Sequence, residues 1–433
     1  MKKNVALLLL PFLIFLLPFC GGKKKETKVI VLGFDGADWD FIDPLIAEGH
    51  LPNFKLLKEK GAWARLKSMK PTLSAVIWTT IATGKRMEKH GIVDWLYLQK
   101  KGIKVPYNSS ERREPAIWEI LSEAGKSSAV INWYVSYPPD HINGIVISDA
   151  ARKIILMKKK TLALRDSVYP PKFFDIVRES VEWNYWKVLK ETRIPDYLKM
   201  ARDMGKDPSN HPVIKDFKPF LLMEKLVYNM GEKVWNRGKF DFFALYFRWP
   251  DVVTHFIGIF LPPELATRGL KEMKEKHRLE PKLRKELDEK TAELLLPVYS
   301  WLDSILGEYI KRMDEDTYLI VLSDHGFDFG PQGYNHELPD WMAPPLGILA
   351  VLGPEVKKGY QIKNASVFDI APTILYLYNL PIGKGMDGKP LLDAFRFSRK
   401  IKYRKYFRKK FVKKHLKELD RKTLKELHSL GYI

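Results

Sequence analysis

The chain has 433 residues, 45% hydrophobic and 12% aromatic, with 73 lysines and arginines against 52 acidic residues and one cysteine. That composition excludes a disordered polymer, a disulfide-stapled miniprotein and a polytopic membrane protein, and no intrachain disulfide or cysteine zinc cluster can form. A net charge of +21 favours anionic partners, whether nucleic acid, acidic phospholipid or a phosphorylated small molecule.

Met1-Lys2-Lys3-Asn4 precede an apolar run from Val5 to Phe19. A basic start followed by an apolar stretch too short for a membrane-spanning helix predicts a signal peptide over 1–19 and a tether over 20–27. Cys20 ends the run and resembles the lipidated cysteine of bacterial lipoproteins, although Phe19 stands where a small residue is usual. The competing reading is an uncleaved N-terminal anchor. Both place the body outside the cytoplasm, in the periplasm or at the cell surface, tethered to a membrane.

Val29 to Phe34 is a continuous apolar run closed by Asp35-Gly36, the pattern of a buried parallel strand with a turn at its carboxyl end. Similar runs recur at 129–131, 144–147, 242–247, 318–322 and 347–352, separated by helical periodicity at 115–124, 297–313 and 366–378. The alternation predicts an α/β fold with a mostly parallel central sheet covered on both faces. Between about 151 and 240 the strand signal gives way to charged, helix-like stretches with Trp183 and Trp186, which read as a helical cap insertion. Those tryptophans fit core positions better than a lid. A second helical insertion covers 262–296 within a catalytic domain of 28–395.

Three predicted strands end in possible metal ligands: Asp35 after the first, Asp251 and His255 after 242–247, and Asp324 and His325 after 318–322. Ligands of open α/β sheets bind outside the carboxyl ends of strands, so these side chains could meet in one crevice. His336, in a Gly- and Pro-rich loop, is a sixth candidate. Taken alone, Asp251-x-x-x-His255 also fits a capped or solvated helix face, and Asp324-His325 is a common dipeptide. Mixed Asp and His donors suit Zn²⁺, and six ligands divide into two sets of three. Two ions about 4 Å apart would clamp an in-line displacement at phosphorus. Ser74, after Lys70-Pro71-Thr72-Leu73, falls near a predicted helix N-terminus, where an anion is favoured; taken alone it fits an ordinary N-cap better than a nucleophile.

Phe34-Asp35-Gly36, Pro71-Thr72-Leu73-Ser74, Thr83-Gly84, Glu88-Lys89-His90-Gly91-Ile92, Pro250-Asp251 to His255, Ser323-Asp324-His325-Gly326, Asn335-His336, Phe368-Asp369 to Thr373 and Met386-Asp387-Gly388 occur in that order. Together they resemble the alkaline phosphatase superfamily in its type I phosphodiesterase and nucleotide pyrophosphatase branch, over about residues 28–394. The resemblance implies an alkaline-phosphatase-like three-layer sandwich. It places Asp251, His255 and His336 on one zinc, and Asp35, Asp324 and His325 on another beside the nucleophile. That nucleophile is usually threonine and aligns here with Ser74. The implied function is phosphodiester hydrolysis through a phosphoseryl intermediate with two Zn²⁺. A phosphomonoesterase or phosphomutase on the same scaffold, and a non-catalytic membrane-surface binding protein, are the alternatives.

Two positions depart from related patterns. Val93-Asp94-Trp95 stands where nucleotide-processing members carry a phosphoryl-binding asparagine. Val76 and Trp78 stand where sulfatases require Pro and Arg to mature their nucleophile.

Beyond the catalytic domain, the tail 396–433 opens with twelve Lys or Arg and no acid between Arg396 and Lys417, interleaved with aromatic residues. It reads either as a helix packing its aromatic side on the body or as a segment bound to anionic headgroups, with lipidated Cys20 as a second anchor. A phosphate-ester substrate and an anionic membrane are therefore the expected partners, and nucleic acid is not.

Overall fold

The six apolar runs are buried on both faces, so they become six of the nine strands of one sheet. The computed structural model describes residues 26–98, 104–157, 161–207 and 214–408. The signal-like segment, Cys20 and the tail beyond 408 lie outside the described residues. Among the described residues no helix is long and apolar enough to cross a membrane.

The strand order is Tyr360–Gln361, Ala62–Leu66, Gly347–Leu352, Thr317–Leu322, Lys28–Phe34, Phe242–Phe247, Ser128–Ile131, Gly144–Ile147 and Val168–Tyr169. The five strands from Thr317–Leu322 to Gly144–Ile147 are mutually parallel, whereas Gly347–Leu352 and Val168–Tyr169 run antiparallel to their neighbours. Alternate side chains enter two separate cores. Ile30, Leu32, Phe34, Phe243, Leu245 and Phe247 pack into one, and Val29, Val31, Phe242, Ala244 and Tyr246 into the other. This two-residue period across a sheet covered on both faces gives a three-layer α/β sandwich, the architecture that the resemblance implies.

Several expectations need correction. The helix predicted to start at Pro297 is the second half of Pro281–Lys311, which runs through that proline. Pro is common at a first helical position, but Leu283, Leu287, Ala292 and Leu295 already form a buried stripe before it. The strand Ala62–Leu66 went unread because only alternate residues are buried. Within 151–240 lie the helices Phe174–Ser180, Tyr185–Thr192, Tyr197–Asp203 and Phe217–Trp235. Trp183 and Trp186 are exposed rather than core, because Tyr185–Thr192 buries Tyr185 and Val188 on its inner face.

The tail begins as an extended strap rather than a helix. Phe397, Ile401 and Tyr406 pack on the body, and Tyr403–Arg404 pairs in parallel with Ile382–Gly383. Arg408 inserts into a buried ionic cluster with Asp140 and Glu119, next to Arg112.

Candidate metal centre

All six predicted ligands converge at the carboxyl ends of the parallel strands. Asp35 follows Lys28–Phe34 in a turn whose Gly36 has φ +68°. A Cβ there would lie 2.8 Å from Phe327 and 2.9 Å from the Asp251 Cα, so the turn needs glycine both for its left-handed backbone and for the close approach. The Asp251 N–H donates to the Asp35 carbonyl at 2.9 Å. Asp251 and His255 occupy the short helix Asp251–Ile257, Asp324 and His325 follow Thr317–Leu322, and His336 follows the hairpin of Asp328–Gly330 and Gly333–Asn335. Gly36→Ala is expected to destabilise the fold by about 1–3 kcal/mol and to lower metal affinity by displacing Asp251. Denaturant unfolding and metal titration would check this, and wild-type values in both would refute it.

The donor atoms form two groups with matching spacing. Asp35 Oδ1 and Asp324 Oδ2 each lie 3.4 Å from His325 Nε2. In the second group His255 Nε2 is 3.3 Å from Asp251 Oδ1 and 3.1 Å from His336 Nε2, which is 3.6 Å from Asp251 Oδ1. His325 Nε2 lies 4.0 Å from Asp251 Oδ1, so Asp251, His325 and His336 also cluster, bridging the two groups. A tetrahedral ion with bonds of about 2.0–2.1 Å would hold its ligands about 3.3–3.4 Å apart, close to these separations. The buried Asp251 Oδ1 and Asp324 Oδ2 atoms have no hydrogen-bond partner among the described residues, and a bound cation would satisfy them.

Electrostatics argue the same way. Burial and the neighbouring Asp251 push Asp35 up, and burial with Asp35 and Asp251 pushes Asp324 well up. Burial also works against ionised Asp251, but His255, His336 and His325 overcome it and hold this carboxyl below its usual range. Burial lowers His336 well below an ordinary imidazole, reinforced by His325. Asp35 and Asp324, buried side by side, therefore lack the compensating positive charge that the histidines give Asp251 and that metal ions would supply.

Two buried histidines of the cluster are oriented as a metal ligand would need to be. His336 Nδ1 donates to the Thr72 carbonyl at 2.9 Å and His325 Nδ1 to the Gly326 carbonyl at 3.0 Å, leaving both Nε2 lone pairs facing the cluster.

Ser74 is the first residue of the helix Ser74–Thr83, capped by Leu73, so it is not the helix's N-cap. Its Oγ lies 3.4 Å from Asp35 Oδ1 and 3.5 Å from His325 Nε2. It thus lies about as far from Asp35 and His325 as Asp35 and Asp324 lie from His325. A groove of about 660 Å³ opens beside it, between Lys70 to Leu73 and the loop 330–340.

Three supporting residues escaped the sequence reading. The Tyr246 hydroxyl and, at 3.3 Å, the Trp78 Nε1 donate to Asp35 Oδ2, which frees Oδ1 for the cluster. Trp78 stands one helical turn after Ser74, and that i, i+4 relation was its only sequence signal. Buried Glu224, on the cap helix Phe217–Trp235, accepts from the Arg248 and Trp249 amides just before Asp251. Burial pushes Glu224 up to about 7, despite Arg152 and Arg248 nearby.

Other residues of the quoted blocks are structural. Buried His90 contacts Thr80 Oγ1 at 3.0 Å and accepts the Ile92 N–H, and burial lowers its pKa to about 3. Asp369 holds the Ser366 and Lys389 amides, and Asp387 the Arg86 amide.

Known proteins share this architecture at low identity. The chain is 9% identical to a putative sulfatase from Bacteroides thetaiotaomicron, covering 87% of this chain and 75% of that one with a TM-score of 0.53. A 2-O GAG sulfatase gives 10% identity, 86% and 74% coverage and a TM-score of 0.53. Human ectonucleotide pyrophosphatase/phosphodiesterase 5 gives 15% identity, 86% and 100% coverage and a TM-score of 0.48. A search of curated protein sequences finds no match. The decisive match is the profile of the type I phosphodiesterase/nucleotide pyrophosphatase family, which spans residues 29–372 and so contains Ser74 and every ligand candidate. With this span matched, the chain belongs to the type I phosphodiesterase/nucleotide pyrophosphatase family of phosphoric ester hydrolases.

Proposed function

We propose that the protein hydrolyses phosphodiesters in two steps, with Ser74 as nucleophile and zinc as the metal of both donor groups. The position of Ser74 Oγ, 3.4 Å from Asp35 Oδ1 and 3.5 Å from His325 Nε2, carries this reading. Asp35, Asp324 and His325 would hold one ion, and Asp251, His255 and His336 the other. Their mixed nitrogen and oxygen donors favour Zn²⁺ over Mg²⁺ or Ca²⁺, which prefer oxygen shells. When bound, zinc supplies Lewis acidity that lowers the pKa of a neighbouring hydroxyl or water and neutralises charge on a departing oxygen.

Ser74 then needs no histidine base. The outer nitrogens of His325 and His336 donate to carbonyls rather than to a carboxylate, so neither is arranged as in a Ser-His-Asp triad. The Ser74 hydroxyl loses its proton to solvent as its oxygen bonds phosphorus and the ester bond to the leaving group breaks, and the leaving oxygen takes a proton from solvent and departs as an alcohol. Water then attacks phosphorus from the opposite side, breaks the Oγ–P bond and restores the hydroxyl. The N-terminus of Ser74–Thr83 favours the anionic phosphoryl group during both steps.

Metal analysis of purified protein, followed by rates on bis-aryl and mono-aryl phosphates, tests the proposal. Zinc near two equivalents and faster cleavage of the diester are expected. Faster monoester cleavage would assign a phosphomonoesterase on the same scaffold, and a zinc-free protein inactive after reconstitution would refute catalysis.

A further inference from the structure

The end of the molecule opposite the crevice carries a surface that catalysis does not use. The Tyr378 hydroxyl reaches the carbonyl of Asp241, the residue before Phe242–Phe247, and Arg404 pairs with Glu123, which ends the helix leading toward Ser128–Ile131. These contacts mark the amino-terminal edge of the parallel strands, whereas the metal-ligand candidates lie at their carboxyl ends. The strap 399–408 crosses that edge. The Ile382 amide bonds the Lys402 carbonyl and the Lys384 amide the Arg404 carbonyl, each at 2.7 Å. Arg408 locks its end in the buried cluster with Asp140 and Glu119.

Held this way, the strap turns Tyr403 and Phe407 outward at 61% and 70% exposure. Beside them Lys400, Lys402, Arg404 and Lys405 are exposed, and the adjoining turns add Arg86, Lys89 and Lys384. Lys89 Nζ donates to the Gly385 carbonyl, which ties these turns into one surface. Seven cations there face three carboxylates, Glu88, Glu123 and Asp387, a net +4. Exposed aromatic rings set among lysines and arginines, on rigid backbone, match the headgroup zone of an anionic bilayer.

We infer that this face docks on an anionic lipid bilayer and directs the catalytic crevice away from it. The eight residues 20–27 span at most about 28 Å, so a lipid on Cys20 would enter the same bilayer near the start of Lys28–Phe34. The substrate would then arrive from the aqueous side rather than from the leaflet on which the protein rests. This last step rests on the phosphodiesterase reading, whereas the docking itself does not.

Hydrogen exchange of the full-length protein, with phosphatidylcholine vesicles containing or lacking phosphatidylglycerol, tests the docking. Protection at 382–384 and 402–407 with the anionic vesicles only, and none at the crevice rim 330–340, is expected. The triple variant Lys384→Glu, Lys402→Glu, Lys405→Glu should partition onto those vesicles at least about tenfold more weakly, with an unchanged unfolding midpoint. Wild-type partitioning of that variant, protection at 330–340, or binding to a duplex oligonucleotide but not to vesicles would overturn the inference.

Discussion

Ser74→Ala is expected to lower turnover of an aryl phosphodiester by at least about 10⁴-fold while leaving metal content and the unfolding midpoint close to wild type. The side chain is buried, and among the described residues its only hydrogen-bond-range partners are Asp35 Oδ1 and His325 Nε2, so removing the oxygen takes away the proposed nucleophile and little else. The helix start survives because Leu73, not Ser74, caps it and accepts the Val76 and Ile77 amides. Ser74→Thr keeps the hydroxyl and should retain measurable turnover. A second readout is independent of rate: acid-quenched wild type should carry label from a phosphorus-labelled substrate, and Ser74→Ala should carry none. Turnover of the alanine variant within about tenfold of wild type would remove Ser74 from the nucleophile's role.

The architecture was legible where burial on both faces wrote continuous apolar runs, as at Val29 to Phe34 and Phe242 to Phe247. It was illegible where a strand is half-exposed or very short. Ala62–Leu66 alternates buried and half-buried residues, and Tyr360–Gln361 is too short for any period to show. The ligand candidates were readable because Asp and His after a strand are sparse and chemically distinctive. Their supports were not. Tyr246 looks like one more apolar residue of a core strand, and nothing local shows that its hydroxyl ends on Asp35. Glu224 reads as a charge on a long cap helix, yet it is buried and grips the backbone entering Asp251. Both roles depend on contacts between segments far apart in sequence. The tail divided in a way composition cannot express, because the strap's backbone pairing decides which aromatic residues face inward and which outward.

Asp324→Asn should separate the two costs of building this site. With metal, the variant is expected to lose at least about 10³-fold in activity, because one ligand oxygen and one negative charge of the Ser74 group are gone. Without metal the order of stability should reverse. Asp324 is fully buried, and burial together with Asp35 and Asp251 raises its pKa well above the ordinary 3.8. Between the unfolded value and that raised value the folded state binds the extra proton, so stability falls as pH rises through the window. The neutral amide of the variant escapes this penalty. In chelator, the variant should therefore unfold at a temperature roughly 1–3 °C above wild type at pH 8, with the gap narrowing as pH falls and folded Asp324 takes up its proton. Comparing the two proteins isolates Asp324 from the histidines, which titrate in both. Zinc should invert the wild-type pH slope, since a metal binds deprotonated ligands and its contribution grows with pH. A variant less stable than wild type in chelator at pH 8 would show that the unpaired Asp324 oxygen is held by protein contacts and not reserved for a cation.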